Sequence, residues 1–241
     1  LSQIQQQFVS DVSHELRTPL TTVRMASEMI YNARANFDPD MARSAELLRN
    51  QVDRFDLLLS DLLEMSKIDA GASPLESSSV DLAIVTQTIL RDNSEIAAEH
   101  STQFKFLKSG DATVIADKRR VSRIIRNLVV NAIEHCDGTD IEVEIAGNDS
   151  CVSISVRDRG QGIAVEDLSR VFGRFWRADP ARQRTLGGTG LGLSISAEDA
   201  ALHGGIIDVW GAPNEGAQFV LTLPRLELGE ITNVAILAGA P

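Results

Sequence analysis

The chain has 241 residues, which is long enough for one large domain or two smaller ones. Its composition, 43% hydrophobic and 24% charged, is that of a globular protein, and no apolar run approaches the length of about 18 residues that suggests a membrane span. The formal net charge of −11 argues against general nucleic-acid binding, which needs a basic face. Any site for an anionic ligand must therefore be made locally positive.

The cysteines and the first residue carry further expectations. Cys136 and Cys151 are too few for a disulfide framework, so each is expected to be a small core residue of a protein in a reducing compartment. No signal peptide pattern is visible. Because the sequence starts at Leu1 rather than Met, we expect it to be a piece of a longer protein.

The first predicted element is a helix from about residue 2 to residue 32. Apolar or small residues recur in alternating steps of three and four at Val9, Val12, Leu16, Pro19, Val23, Ala26 and Ile30. This heptad seam places His14 at the position farthest from it, facing water, with Thr18 one turn along on the same flank. Pro19 cannot donate an N–H to the carbonyl of Glu15, so a bend is expected beside the histidine.

His14 and Glu15 form the first candidate site. A lone surface histidine is most often an ordinary solvated residue. A neutral imidazole, however, is a nucleophile at pH 7. The adjacent Glu15 can hold the proton on one ring nitrogen and leave the other free to attack.

A second amphipathic helix is predicted from about Asp40 to Asp69, after a polar turn that contains Pro39. Its apolar stripe consists of Leu48, Val52, Phe55, Leu59 and Leu62. Two helices with one apolar stripe each bury little surface alone, which favours an antiparallel hairpin that dimerises into a four-helix bundle. The alternative is a monomeric hairpin packed on the next domain.

A change of composition follows the hairpin. Residues 71–79 contain glycine, proline and serines and predict a linker. Beyond it, helical and strand-like patterns alternate and predict an α+β sandwich. The predicted helices are Ala83–His100, Asp117–Cys136 (with Asp117 as its cap) and Gly190–His203. The predicted strands are Gln103–Leu107, Ala112–Ala116, Ile141–Ala146, Cys151–Arg157, Ile206–Trp210 and Gln218–Leu223. The last two pairs are expected to be antiparallel, and residues 225–241 are expected to form a loosely docked tail.

Two polar motifs within this region suggest a nucleotide site. Asn127 and Asn131 are four apart on one face of a predicted helix, and an amide oxygen is a suitable hard ligand for Mg²⁺. The alternative is that they are two solvated polar residues. Asp158 ends an apolar strand, where it can accept a hydrogen bond from an exocyclic amine such as that of adenine. Gly160 and Gly162 follow it and allow close backbone approach, although such a turn is common by itself.

A basic loop and a glycine-rich stretch complete the pattern. The arginines of the loop are Arg174, Arg177, Arg182 and Arg184. In an acidic protein, a basic loop before Gly187 and Gly188 is typical of a lid over a triphosphate. Gly188–Leu193 then opens a helix, whose N-terminal amides can bind phosphate. A Rossmann-type site is disfavoured because no strand of a βαβ unit precedes these glycines.

These motifs carry a family resemblance that extends over residues 8–224. The octet Ser13–Leu20 resembles the H box of bacterial sensor histidine kinases, almost letter for letter. Asn127–Ala132, Asp158–Ile163, Phe172–Arg177 and Gly188–Leu193 resemble, in order, the N, G1, F and G2 boxes of the Bergerat-type ATP-binding fold. Histidine kinases share that fold with gyrase, Hsp90-type chaperones and MutL.

The resemblance implies roles for particular residues. His14 would be phosphorylated, Glu15 would be the general base, and Thr18 would orient a water for dephosphorylation of the partner. Asn131 would bind Mg²⁺, with support from Asn127. The residues implied in ATP binding are Asn127, Asn131, His135, Asp158, Gly160, Gly162, Arg177, Gly188, Thr189, Gly190, Leu191 and Gly192.

One departure from the family pattern affects the phosphate contacts. Many relatives have Lys three residues after the metal-binding Asn, and this chain has Glu134. Lys118, Arg119, Arg123 or the lid arginines are candidates to replace the missing cation.

The resemblance thus predicts the core of a sensor histidine kinase. Residues 1–70 would dimerise and carry the phosphohistidine, 71–79 would link, 80–224 would bind ATP, and 225–241 would form the tail. The implied partners are a second copy of the chain and a response regulator receiver domain, not nucleic acid. The portion is expected to be cytoplasmic, with the whole protein membrane-anchored through other segments. The alternatives are a non-kinase ATPase clamp with the same nucleotide pocket and a pseudokinase scaffold without chemistry.

Overall fold

The computed structural model describes residues 2–69, 74–176, 189–226, 231 and 234–239, and only the backbone of residues 2–14 and Arg17. Contacts divide the chain into two units. The first comprises Leu1–Pro74 with Gly187–Leu191, and the second comprises Leu75–Leu186 with Gly192–Pro241. In the part of the chain described here, no helix has both the length and the apolar character that a membrane span requires.

The first unit contains a helical hairpin. Helix α1 spans Ser2–Asn32 and helix α2 spans Pro39–Asp69, close to the predicted bounds. Pro39 occupies the first turn of α2, where its missing N–H costs nothing. The Asp38 carboxylate caps this helix by accepting from the backbone N–H of Met41 at 2.9 Å.

One stripe of the hairpin is buried between its helices, and another is exposed. Leu20 and Ser27 of α1 are buried, as is Val52 of α2. The predicted seam residues Leu16 and Val23 are instead 42% and 50% exposed. The single hairpin therefore leaves apolar surface open, as expected for two helices with separate inner and outer stripes.

The second unit is built on two sheets. Strands β1 (Ser78–Asp81) and β3 (Thr113–Ala116) form an antiparallel pair. The larger sheet has the order β2-β4-β5-β7-β6. Its strands are β2 (Phe104–Ser109), β4 (Ile141–Gly147), β5 (Cys151–Arg157), β6 (Ile206–Ala212) and β7 (Gly216–Pro224). β2 is parallel to β4 and all other pairs are antiparallel, so the expected pairing of β4 with β5 and of β6 with β7 is confirmed.

Helices cover one face of this sheet and enclose the core. They are α3 (Leu82–Asp92), α4 (Ser94–Glu99), α5 (Lys118–His135) and α6 (Gly192–Leu202). Asp117 caps α5 as predicted, since its side chain accepts from the N–H groups of Arg119 and Arg120. Ile124, Leu128 and other apolar residues of α5 pack toward alternate residues of β5 and β7. The α+β sandwich predicted from the sequence is therefore the observed fold.

Two helix predictions need correction. The single helix expected over Ala83–His100 is two helices, because the side-chain amide of Asn93 bonds to the Ile89 carbonyl at 2.8 Å and ends α3. The helix expected from Gly190 begins at Gly192, because Gly190 has φ +78° and so cannot form the first helical turn.

Candidate functional site

Helix α1 carries the three residues expected to perform the phosphoryl chemistry. The side chain of His14 lies outside the described part of the chain, but its backbone is helical. Glu15 and Thr18 are both exposed. Helical spacing places Thr18 on the flank of His14, one turn along. Pro19 lies inside the helix, and the bend expected there stays a prediction.

Asn127 connects the helix α5 to the start of α6. Its side-chain nitrogen donates to the Gly192 carbonyl and to Ser196 Oγ, both at 3.0 Å. Ser196 Oγ also donates to the Gly192 carbonyl at 2.8 Å. These bonds fix which end of the Asn127 amide faces α6, and they bring one residue of the predicted glycine-rich run to the predicted N-box helix.

Asn131 lies one turn further along α5 and is half-buried. Its amide oxygen is a hard, neutral ligand of the kind that Mg²⁺ accepts. Within the described residues, no group of three or more His, Cys, Asp or Glu could hold a metal ion. The amide oxygen of Asn131 fits Mg²⁺ held by one or two protein oxygens together with nucleotide phosphates.

Asp158 follows β5 and is only 2% exposed. Burial raises the pKa of its carboxyl above the ordinary value of 3.8, even though the Gly160 N–H donates to it at 3.0 Å. The backbone N–H of Asp158 donates to the Ala217 carbonyl on β7. The carboxyl is therefore a fixed, enclosed hydrogen-bonding group of the kind that can select an amine of a ligand.

The turn after Asp158 lies close to the end of α5. Gln161 Nε2 and His135 Nδ1 are 2.7 Å apart. A Cβ on Gly160 would be 1.6 Å from the His135 carbonyl oxygen, so only glycine fits there. Gly162 has φ +70°, and its Cβ would be 1.8 Å from the Ala212 carbonyl oxygen. His135, Asp158, Gly160 and Gly162 are thus held in one compact arrangement.

The remaining residues of the predicted glycine-rich run belong to the first unit. Thr189 Oγ1 donates to the Asp61 carboxylate of α2 at 2.6 Å. Leu191 donates its backbone N–H to Thr189 Oγ1 at 3.2 Å, and Gly190 lies between them. Gly188 and Arg177 fall outside the described residues, as do the lid residues Arg182 and Arg184.

Two of the cations proposed to replace a lysine are engaged elsewhere. Arg123 binds Asp199 with an N–O distance of 2.7 Å. Arg119 bonds to Glu76 at 3.2 Å and lies 3.5 Å from Asp117. The charge of an arginine that is paired with a carboxylate is partly neutralised by it, so the arginine attracts a phosphate less strongly. Arg119 and Arg123 are therefore weaker candidates than the sequence suggested.

Gln161 and Ser196 are two further residues of this site that were not predicted from the sequence. Ser196 is four residues after Gly192, and this helical spacing could have placed it beside the first turn of α6. Gln161 lies in the turn between Gly160 and Gly162, and no pattern in the sequence indicated its contact with His135.

Two stretches of the chain match known protein families. Residues 4–71 match the His Kinase A (phospho-acceptor) domain. Residues 116–227 match the histidine kinase-, DNA gyrase B-, and HSP90-like ATPase family. A phospho-acceptor domain joined to such an ATPase domain defines a sensor histidine kinase core, and the chain belongs to the histidine kinase family.

Among curated relatives, the chain is 46% identical over 230 residues to sensor histidine kinase MtrB of Mycobacterium tuberculosis, covering 95% of this chain and 41% of that protein. It is 34% identical over 238 residues to signal transduction histidine-protein kinase AfsQ2 of Streptomyces coelicolor, covering 92% and 42%. The chain thus spans about two fifths of the length of these relatives.

Solved structures give the same assignment. Full-length ShkA in complex with AMPPNP matches with a TM-score of 0.77 at 25% identity, over 95% of this chain and 47% of that chain. The mycobacterial sensor histidine kinase MprB matches with a TM-score of 0.54 at 25% identity, over 63% of this chain and 99% of that chain.

Proposed function

We propose that this core phosphorylates its own His14 with ATP and passes the phosphoryl group to an aspartate of a response regulator. The observation that carries the proposal is the joining, on one chain, of a phospho-acceptor helix bearing His14 to an ATPase domain with an enclosed Asp158. The proposed domain bounds are those expected from the sequence, 1–70 and 80–224.

The chemical step assigned to α1 is a displacement at phosphorus. One imidazole nitrogen of His14 bonds to the γ-phosphorus of ATP, the bond to the bridging oxygen breaks, and ADP leaves with that electron pair. Glu15 accepts the proton that the other imidazole nitrogen loses as the ring becomes positively charged. Glu15 directly follows His14 in the sequence and is exposed, which supports this role because its carboxylate is accessible.

The nucleotide side of the reaction is assigned to the second unit and to the glycine-rich run. Asp158 accepts a hydrogen bond from the adenine amine, and the backbone around Gly160, Gly162 and Gly192 approaches the nucleotide closely. Asn131 holds Mg²⁺, which neutralises phosphate charge when bound. That ShkA has been solved with AMPPNP supports a nucleotide ligand for this fold. His135, Arg177, Gly188, Thr189, Gly190 and Leu191 are the further proposed contacts.

The partners are proposed from the hairpin. A second copy covers the exposed apolar stripe around Leu16, Val23 and Phe55, and so completes a four-helix bundle. A receiver domain docks beside His14, where Thr18 orients a water for removal of the phosphoryl group from the regulator. The cytoplasmic location and the membrane anchor of the whole protein stay predictions.

The test is incubation of the chain with labelled ATP and Mg²⁺. An acid-labile, alkali-stable phosphate is expected, as for phosphohistidine. His14→Gln is expected to abolish labelling and leave the affinity for ATP unchanged, whereas the matched control His100→Gln keeps both. Labelling that survives in His14→Gln would show that another residue is the acceptor.

The non-kinase clamp is the weaker candidate. It would use the same nucleotide residues but needs no phospho-acceptor domain, and residues 4–71 match one. A pseudokinase scaffold would fail the labelling test outright.

A further inference from the structure

The centre of the outer face of the large sheet, on β5 and β7, is unexpectedly buried. In β5 and β7, alternate residues such as Ile154 and Leu221 point to the helices and belong to the core. The residues between them point the other way, where a two-layer sandwich leaves an antiparallel sheet open to water. Yet on that face Ser153, Val220 and Thr222 are all 0% exposed. Something other than the helices must cover them.

The polar side chains of this face form a connected set. Ser153 Oγ and Thr222 Oγ1 are 2.9 Å apart, and Gln218 Nε2 donates to Ser155 Oγ at 2.8 Å. Arg157, which is 7% exposed, has its guanidinium over the ring of Trp210 at 4.9 Å. The Arg157 Nε atom is buried and has no hydrogen-bond partner among the residues that the structure describes.

Residues 234–239, the tail segment, cross this face and are held by their backbone. The N–H of Ala235 donates to Ser153 Oγ at 3.3 Å. The N–H of Gly239 donates to Gln218 Oε1 at 3.0 Å, and the Gly239 carbonyl accepts from Arg157 Nη1 at 3.4 Å. Backbone recognition by fixed side chains does not depend on the sequence of the segment, and the Leu237 side chain is 75% exposed.

We propose that the outer face of the sheet is a groove for an extended peptide, and that the tail segment of the same chain is its occupant. Ser153, Gln218 and Arg157 are the binding residues, and each is supplied by the rigid centre of the sheet. The three hydrogen bonds alone do not offset the entropy of ordering six residues, but burial of apolar surface such as that of Val220 adds to them, so docking lies close to balance. The tail is therefore a strap that can leave the groove while the sheet and its helical layer stay folded.

Hydrogen exchange on the intact chain tests the strap. The amides of Ala235 and Gly239 are expected to exchange at least about tenfold more slowly than in unstructured peptide, and faster than the sheet amide of Ile154. Ser153→Ala combined with Gln218→Ala is expected to remove the protection at both tail amides and keep it at Ile154. The control Glu144→Ala changes an exposed residue on the same face and leaves all three amides as they were.

A second measurement adds the tail to a shortened chain as a separate peptide. The chain ended at Leu226 is titrated with a synthetic peptide of residues 227–241, and one peptide is expected to bind per chain, with binding lost in Gln218→Ala. Tail amides that exchange like unstructured peptide in the intact chain would overturn the proposal, as would peptide binding that Gln218→Ala does not change. Protection of the tail that rises with protein concentration would place the tail on a second copy and overturn the occupant named here. If the shortened chain does not fold, the exchange measurement on the intact chain decides alone.

Discussion

Glu15 is proposed to act in the phosphoryl-transfer step and to have no part in ATP binding. It is exposed on α1, whereas the nucleotide contacts are assigned to other residues. Glu15→Ala is expected to slow autophosphorylation by roughly 10²–10⁴-fold, the usual effect of losing a general base. The affinity for ATP, measured by calorimetry, is expected to stay the same. Glu28→Ala is the matched control, since Glu28 is also an exposed carboxylate on α1. Loss of ATP binding in Glu15→Ala would contradict the role of base.

The buried carboxyl of Asp158, proposed to bind the nucleotide, also affects the folding stability of the protein. Burial raises the pKa of this carboxyl above 3.8, so its contribution to folding stability is fully present below the unfolded pKa. That contribution is lost as the pH rises through the folded pKa, and above that pKa the ionised, buried carboxylate destabilises the fold. Asp158→Asn removes the charge and keeps an oxygen to accept from the Gly160 N–H.

The expected result for Asp158→Asn is a higher melting temperature at pH 7 without nucleotide and weaker binding of ATP. The gain in stability is expected to shrink toward pH 4, where the wild-type carboxyl becomes protonated. Asp149→Asn, at an exposed position, is expected to change neither quantity. A lower melting temperature for Asp158→Asn at pH 7 would show that the carboxylate is stabilised by contacts stronger than its burial cost.

For individual residues of the candidate site, the sequence predicted which residue types take part better than it predicted their contacts. Asn127 and Asp158 were singled out by residue type, an amide on a helix face and a carboxylate at a strand end, and each pattern alone also has an ordinary structural explanation. The direction of the Asn127 amide depends on Gly192 and Ser196, which are 65 and 69 positions away. No local pattern carries that information, and the same holds for the contact between Gln161 and His135.

Helices α5 and α6 are joined by a buried ion pair network that the sequence did not reveal. Asp199 is 0% exposed and contacts Arg120 at 2.6 Å and Arg123 at 2.7 Å. Arg120 is itself only 6% exposed. Removing one partner of a buried pair leaves the other charge uncompensated in the interior.

Asp199→Asn is therefore expected to lower the free energy of unfolding by about 3 kcal/mol. This is the low end of the range for a broken buried pair, because asparagine keeps an acceptor oxygen and Asp117 lies 3.8 Å from Arg120. The urea midpoint of the circular dichroism signal measures the change. Glu198→Gln removes an exposed charge next to it and is expected to move the midpoint little. Equal midpoints for Asp199→Asn and wild type would mean that the network is not stabilising.

Whether an element exists was easier to predict than where it ends or what it pairs with. The heptad seam and the Asp117 cap placed α1 and α5 within a residue or two. The split at Asn93 was missed because an asparagine inside an apolar-periodic stretch is compatible with both a continuous and a broken helix. The parallel pairing of β2 with β4 spans α5 and β3, and local patterns do not encode such a connection.

For the molecule as a whole, the proposed dimer depends on the outer apolar stripe of the hairpin. Phe55 and Leu62 are 55% and 50% exposed, and Leu16 is 42% exposed. Leu16 and Phe55 also line an apolar groove of about 360 Å³ together with Val23 and Leu59. An exposed apolar patch of this kind on a helical pair is typical of a surface that another hairpin covers.

Phe55→Glu is expected to convert the proposed homodimer into a monomer without unfolding the hairpin. In a four-helix bundle the substitution buries two carboxylates that have no partner, one from each protomer, which costs several kcal/mol and weakens association at least about a hundredfold. In the monomer the same position is open to water, so the helix itself tolerates the charge. Light scattering coupled to size-exclusion chromatography measures the mass, and circular dichroism checks that helix content is kept. The control is Ile84→Glu, which places the same charge at an exposed apolar position of α3, 62% exposed, and is expected to leave a dimer. A dimeric mass for Phe55→Glu would show that the two copies associate through another surface, and a monomeric mass for the wild-type chain would remove the bundle from the proposal altogether.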